Sequence, residues 1–141
     1  MHNSVKKELE TWYKKNINPQ NPVKTADLGA YNINGAVKEF IPNTVGFDIY
    51  DGAGVDIVIQ PGIIPKDHKN SYDLVTSISS FQFCPNSTAY KQQILDLLCK
   101  GGFLFLTLCS EECQTSHSTS PNKYNFKDEV RYSKKELFNL F

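Results

Sequence analysis

A mostly parallel α/β sheet with helices on both faces is the fold class this sequence predicts, and three observations point to it. Short apolar runs alternate with helix-period segments and crossover loops along the chain. Several of these runs are apolar nearly throughout, the pattern of strands covered on both faces. One run, Val23 to Leu28, ends at Gly29 and leads through a polar turn into a helix-forming segment. In sheets of this kind ligands bind outside the carboxyl ends of the strands, near the point where the strand order reverses. The residues just after each strand are therefore the first place to look for function.

The elements follow in order. Val5, Leu9, Trp12 and Tyr13 fall on one helical face and predict an N-terminal helix within residues 1–18, with Asn3 or Ser4 placed to cap it and Asn18-Pro19 to stop it. Strands are expected over 23–28, 45–49, 55–59 and 72–78, with a brief helix at 36–40. Ile94, Leu95, Leu97 and Leu98 predict a helix between Asn86 and Lys100, ended by Gly101-Gly102 because glycine takes the left-handed cap conformation. A strand over 103–109 and a polar loop over 110–132 come next. A last helix is expected over 133–141, with Ser133 and Glu136 spaced as a capping box. The 141 residues fit one domain with its nucleotide-binding core at 23–109.

Composition narrows the class. Lys+Arg and Asp+Glu are both 15, so there is no basic surplus for a broad nucleic-acid or membrane footprint. No run reaches the roughly 18 apolar residues that span a bilayer, and the start lacks the apolar core of a secretory signal. Cys84, Cys99, Cys109 and Cys113 lie in apolar or strand-like surroundings, which suits a reducing compartment. A cytoplasmic location is the expectation.

Two features carry the chemistry. Gly29 follows a buried strand, where the missing Cβ lets a ligand approach the backbone. The amides of the turn through Tyr31, Asn34 and Gly35 can hold an anionic group. Asp27 at the strand end can hydrogen-bond an ammonium group or pin the loop, and the same residues also suit a plain strand-to-helix turn. Asp48 stands at the end of the second strand, about 20 residues after the first turn, where an acid accepts hydrogen bonds from ribose hydroxyls.

The run Ala26-Asp27-Leu28-Gly29-Ala30-Tyr31-Asn32-Ile33-Asn34-Gly35-Ala36-Val37 resembles the first motif of a class I S-adenosylmethionine (SAM)-dependent methyltransferase, of the type 11-like subgroup whose first loop ends in Asn-Gly. Val45 to Ile49 with the turn Asp51-Gly52-Ala53-Gly54 is similar to that subgroup's second-strand motif. Ser71 to Val75 resembles its fourth strand, Leu97 to Leu104 its helix–Gly-Gly–strand junction, and Arg131 to Phe138 the segment leading into its next helix. The likeness covers residues 23 to 141 in order. It implies a Rossmann-like three-layer α/β/α sandwich of about five strands, short of the family's usual seven by the last two.

The resemblance implies SAM as cofactor and an unidentified methyl acceptor, with a small molecule or a glycan as the suggested class. It puts Gly29, Ala30, Tyr31, Asn34 and Gly35 beside the methionine part of SAM, with Asp27 near its amino group. Asp48 would hold the ribose, Ile49 would pack on the adenine, Gln60 would face the adenine amine, and Ser77 and Ile78 would line the methionine end with backbone atoms. There are departures. Tyr31 replaces a glycine, Gln60 stands where an acid is usual, and Ser79 to Pro85 offers no titratable acid or base, so no catalytic residue is assigned.

The missing strands would leave 103–109 as an apolar edge open to self- or hetero-association. They also keep open a second reading, a catalytically silent binding or assembly module that serves as a partner subunit. An NAD-type site fits less well, because Gly-x-Gly-x-x-Gly is lacking. Cys109, Cys113 and His117 are four apart but match no standard zinc pattern, so no metal is expected. His2, His68 and His117 read as exposed polar residues. Trp12 and Tyr13 read as helix–sheet packing in preference to a base-stacking platform beside Lys6, Lys7, Lys14 and Lys15.

Overall fold

The computed structural model describes residue 1 and residues 3–33, 35–84, 86–108 and 132–141. Five strands join in one sheet: β1 (Thr25–Leu28), β2 (Thr44–Asp48), β3 (Ile57–Val58), β4 (Tyr72–Ile78) and β5 (Leu98–Thr107). Every neighbouring pair is parallel, and the spatial order is β3-β2-β1-β4-β5. The chain steps outward from β1 through β2 to β3, returns across β1 to β4 and continues to β5. Strand order therefore reverses between β1 and β4.

Three helices complete the layers: α1 (Asn3–Asn16), α2 (Ser87–Leu97) and α3 (Lys134–Leu140). Alternate residues of a strand face opposite sides, and the core divides accordingly. On one side Leu9 of α1 packs with Val37, Ile41 and Leu74, and Trp12 meets Phe103 edge-on at 5.4 Å between ring centres. On the other, Ile94 and Leu97 of α2 and Leu137 and Leu140 of α3 cover Ala26, Leu28, Val75, Leu104 and Leu106. Trp12 and Tyr13 thus serve helix–sheet packing. Among the described residues no helix is long and apolar enough to cross a membrane.

Several boundaries differ from the sequence expectation, each for a local reason. Asn3 and Ser4 lie inside the first turn of α1, not before it. The segment expected as a brief helix is a single 3-10 turn at Val37–Glu39, and the third strand shrinks to two residues at the sheet's edge. The Gly101-Gly102 pair does not end α2. That helix stops at Leu97, and Leu98 is already extended. The glycines belong to a bulge in β5: Tyr72 pairs with Leu98 but Leu74 with Phe103, and Gly101 takes φ +81°. Tyr72 is fully buried and draws His68 in with it. The hydroxyl lies 2.7 Å from His68 Nδ1 and the two rings stack, so His68 is half-buried where an exposed residue was expected. Asn86 Oδ1 accepts from the Ala89 amide to cap α2, and Ser133 and Glu136 form the expected capping box on α3.

Gly46 in β2 faces the turn before β3. A Cβ there would fall 2.1 Å from the Gly54 carbonyl oxygen and 2.8 Å from Ala30 Cβ. β-propensity favours Ala over Gly in a strand, but overpacking against backbone outweighs it. Gly46→Ala should lose about 2–3 kcal/mol in urea denaturation. An unchanged midpoint would mean that the turn is not seated on β2 as described.

Candidate functional site

The β1–β4 ladder runs from Thr25–Leu74 to Asp27–Thr76 and stops there. Beyond it the first loop leans towards β2: the amides of Gly29 and Ala30 both donate to the Phe47 carbonyl, at 2.8 and 3.0 Å. Gly29 has φ +87°, and a Cβ on it would fall 2.1 Å from Ser80 Oγ. Glycine is therefore required here, but the close neighbour is a loop of the chain itself. Ser80 Oγ shares its one proton between the carbonyls of Gly29 and Ile78, at 3.3 and 3.2 Å. Ser79, just before it, is held at φ +53°, a conformation uncommon outside glycine and asparagine.

The rest of the first loop is seated on the turn after β2. The Asn32 amide donates to the Ala53 carbonyl, the Tyr31 ring covers Gly52, and Asn32 Oδ1 accepts from the Gly35 amide. Asp48 ties both loops together. Its Oδ2 accepts from the Tyr31 amide and its Oδ1 from the Tyr50 amide, each at 3.0 Å, and the residue is 9% exposed. The side chains that follow are open, Ile49 at 46% and Tyr50 at 45% exposure. Tyr31 thus contributes its backbone to the acid and its ring to the turn.

Asp27 lies on the face shared with Thr76, whose hydroxyl donates to its Oδ1 at 2.8 Å. Burial pushes this carboxyl up to about 6; the Thr76 bond opposes the rise, nearby Asp48 adds to it, and Lys38 lowers it. Gln60 is exposed after β3, and its carbonyl accepts from Gln93 Nε2 of α2 at 3.1 Å. Ser77 is fully buried, and Ile78 packs partly against the α1-side core. Both residues pair with β5, and the Ile78 carbonyl accepts from Ser80. Asn34 lies outside the described residues, as do Cys109, Cys113 and His117.

The structure brings Asp27, Gly29, Ala30, Tyr31 and Asp48 together around the ends of β1 and β2. Four residues there escaped the sequence reading: Thr76, Ser80, Tyr90 and Gln93. Only Tyr90 left a signal. It shares a helical face with Ile94 and Leu97, and a tyrosine on a buried face needs a partner for its hydroxyl. Burial raises that hydroxyl's pKa, which keeps it protonated as a donor.

No family model matches the sequence, and no curated protein matches it. Solved structures do match the fold. A SAM-dependent methyltransferase from Thermotoga maritima, described as a possible histamine N-methyltransferase, superposes with a TM-score of 0.66 at 17% identity, over 97% of this chain and 75% of its own. The CurJ carbon methyltransferase gives 0.67 at 13% identity, over 98% of this chain but 45% of its own. The chain has the class I SAM-dependent methyltransferase fold and spans three quarters of one neighbour and less than half of the other.

The raised Asp27 pKa fixes a sign. The folded state holds this proton more tightly than the unfolded chain, so the group favours folding below its unfolded value of 3.8. That advantage disappears as pH rises through about 6. Asp27→Asn keeps an acceptor for Thr76 and cannot ionise. It should be more stable than wild type by about 2 kcal/mol at pH 7.5 and nearly equal to it at pH 4, read from urea midpoints at both pH values. A gap independent of pH would remove the buried-carboxylate assignment.

Proposed function

We propose that the chain binds SAM across the carboxyl ends of β1, β2 and β3 and directs methyl transfer to an acceptor, a small molecule or a glycan. The observation that carries this reading is Asp48: a carboxylate at the end of the second strand of this fold, fixed by two backbone amides beside a glycine-led loop. Each oxygen holds one amide and keeps lone-pair capacity for a further donor. A pair of vicinal ribose hydroxyls supplies two such donors, so the residues suit the group.

The remaining roles follow from position. The exposed Ile49 side chain offers an apolar surface for the adenine, and the Gln60 side-chain oxygen can accept from its amine. Asp27, once ionised, attracts the ammonium of the methionine part, and the loop of Gly29, Ala30, Tyr31 and Gly35 borders it. When bound, SAM would supply an electrophilic methyl group on a sulfonium sulfur, and the proton of a hydroxyl acceptor would pass to solvent as S-adenosylhomocysteine forms. The chain's contribution is positioning, which can supply several kcal/mol of the barrier without a titrating group.

Calorimetric titration with S-adenosylhomocysteine tests the reading. Micromolar binding is expected, weakened about tenfold or more in Asp48→Ala, because charged hydrogen bonds to the ribose are lost. Binding undiminished in that variant would overturn the site. No binding by the wild-type chain would leave the silent assembly module as the better account.

A further inference from the structure

We propose that Tyr90 is a positioning residue for the crevice between β1 and β4, its hydroxyl standing in for the ladder where the two strands part and so setting the gap beside Gly29. The inference rests on the SAM-binding reading, which places the methionine part of the ligand in that gap.

The β1–β4 ladder ends at Asp27–Thr76, one residue short of Leu28. The Leu28 carbonyl, buried at the strand end, takes its hydrogen bond from Tyr90 Oη at 2.9 Å. A phenol has one proton, and it is committed to that carbonyl. The 3.0 Å contact between Ser77 Oγ and Tyr90 Oη is therefore a hydrogen bond donated by Ser77. One side chain from α2 thus bridges β1 and β4 at the point where backbone pairing gives out. Its oxygen also lies directly beneath the first loop: a Cβ on Gly29 would come within 3.2 Å of it. The ring is locked edge-to-face on Phe81 at 5.3 Å, so the hydroxyl has little freedom to follow a displaced strand.

The β2 side has its own fixings, through Asp48, Tyr31 and Tyr50. Loss of the Tyr90 hydroxyl should therefore act on one half of the ligand only. Wild type and Tyr90→Phe would be titrated with S-adenosylhomocysteine and with 5′-methylthioadenosine, which keeps the adenosine but lacks the amino-acid chain. The variant should bind S-adenosylhomocysteine about five- to tenfold more weakly, the size of one lost buried hydrogen bond. Its affinity for 5′-methylthioadenosine should stay within about twofold.

Ile41→Val opens a small cavity in the α1-side core, on the face of the sheet away from Tyr90 and Phe81. It should lower the melting temperature and leave the ratio of the two affinities unchanged. Equal weakening of both ligands in Tyr90→Phe, no weakening of either, or the same change of ratio in Ile41→Val would each overturn the inference while leaving SAM binding intact. Absence of S-adenosylhomocysteine binding in wild type would remove both.

Discussion

Where β1 and β4 part, two buried strand ends lose each other as hydrogen-bond partners, and the site is organised by how that loss is made good. A parallel sheet whose crossovers run outward in both directions must open somewhere, and here it opens after Asp27–Thr76. Unpaired backbone groups in a core cost free energy comparable to a lost hydrogen bond. The chain answers from three directions. Gly29 and Ala30 turn to the Phe47 carbonyl, Tyr90 reaches the Leu28 carbonyl, and Ser80 folds back onto the Gly29 and Ile78 carbonyls. Glycine at position 29 is the consequence, because Ser80 leaves no room for a Cβ.

Asp27 sits in the same opening and departs from the general economy of the core. The residue is 6% exposed, and its side-chain hydrogen bond from Thr76 needs an acceptor and not a charge. Its pKa is raised chiefly by burial and further by Asp48, so at neutral pH its charge works against folding. Buried ionisable groups that cost stability mark candidate functional positions. Two acids at adjacent strand ends make this region attractive to a cation, which suits a ligand carrying both a sulfonium and an ammonium.

The sequence showed the strands and the acids but not their partners, for reasons particular residues make plain. β4 is legible to its boundaries because Tyr72 to Ile78 is an unbroken strand-forming run. The Ser133–Glu136 box is legible because its bonds span three residues. The Gly101-Gly102 pair misleads, since a left-handed glycine suits a helix end and a strand bulge alike, and only the register against β4 decides between them. Asp48 is visible as an acid at the right spacing, whereas its amide partner at Tyr31 requires the first loop to be folded over β2. Tyr90 meets Leu28 across 62 positions and Ser80 meets Gly29 across 51, separations at which no local pattern speaks.

These separations divide the site into two mechanical halves. Around Asp48 the fixings are short in sequence, 2 residues to Tyr50 and 17 to Tyr31, and the acid holds its geometry as long as two adjacent loops remain closed. Around Gly29 the amide holds the Phe47 carbonyl of β2, but Ser80 and Tyr90 reach it from across the sheet, so its geometry depends also on β4, α2 and the packing of Phe81 on Tyr90. Regions joined by few local bonds open together with the elements that hold them. The β1–β4 half should therefore share the cooperativity of the core. A ligand that spans both halves couples them, and the open Ile49 and Tyr50 side chains stand on the β2 side of that span.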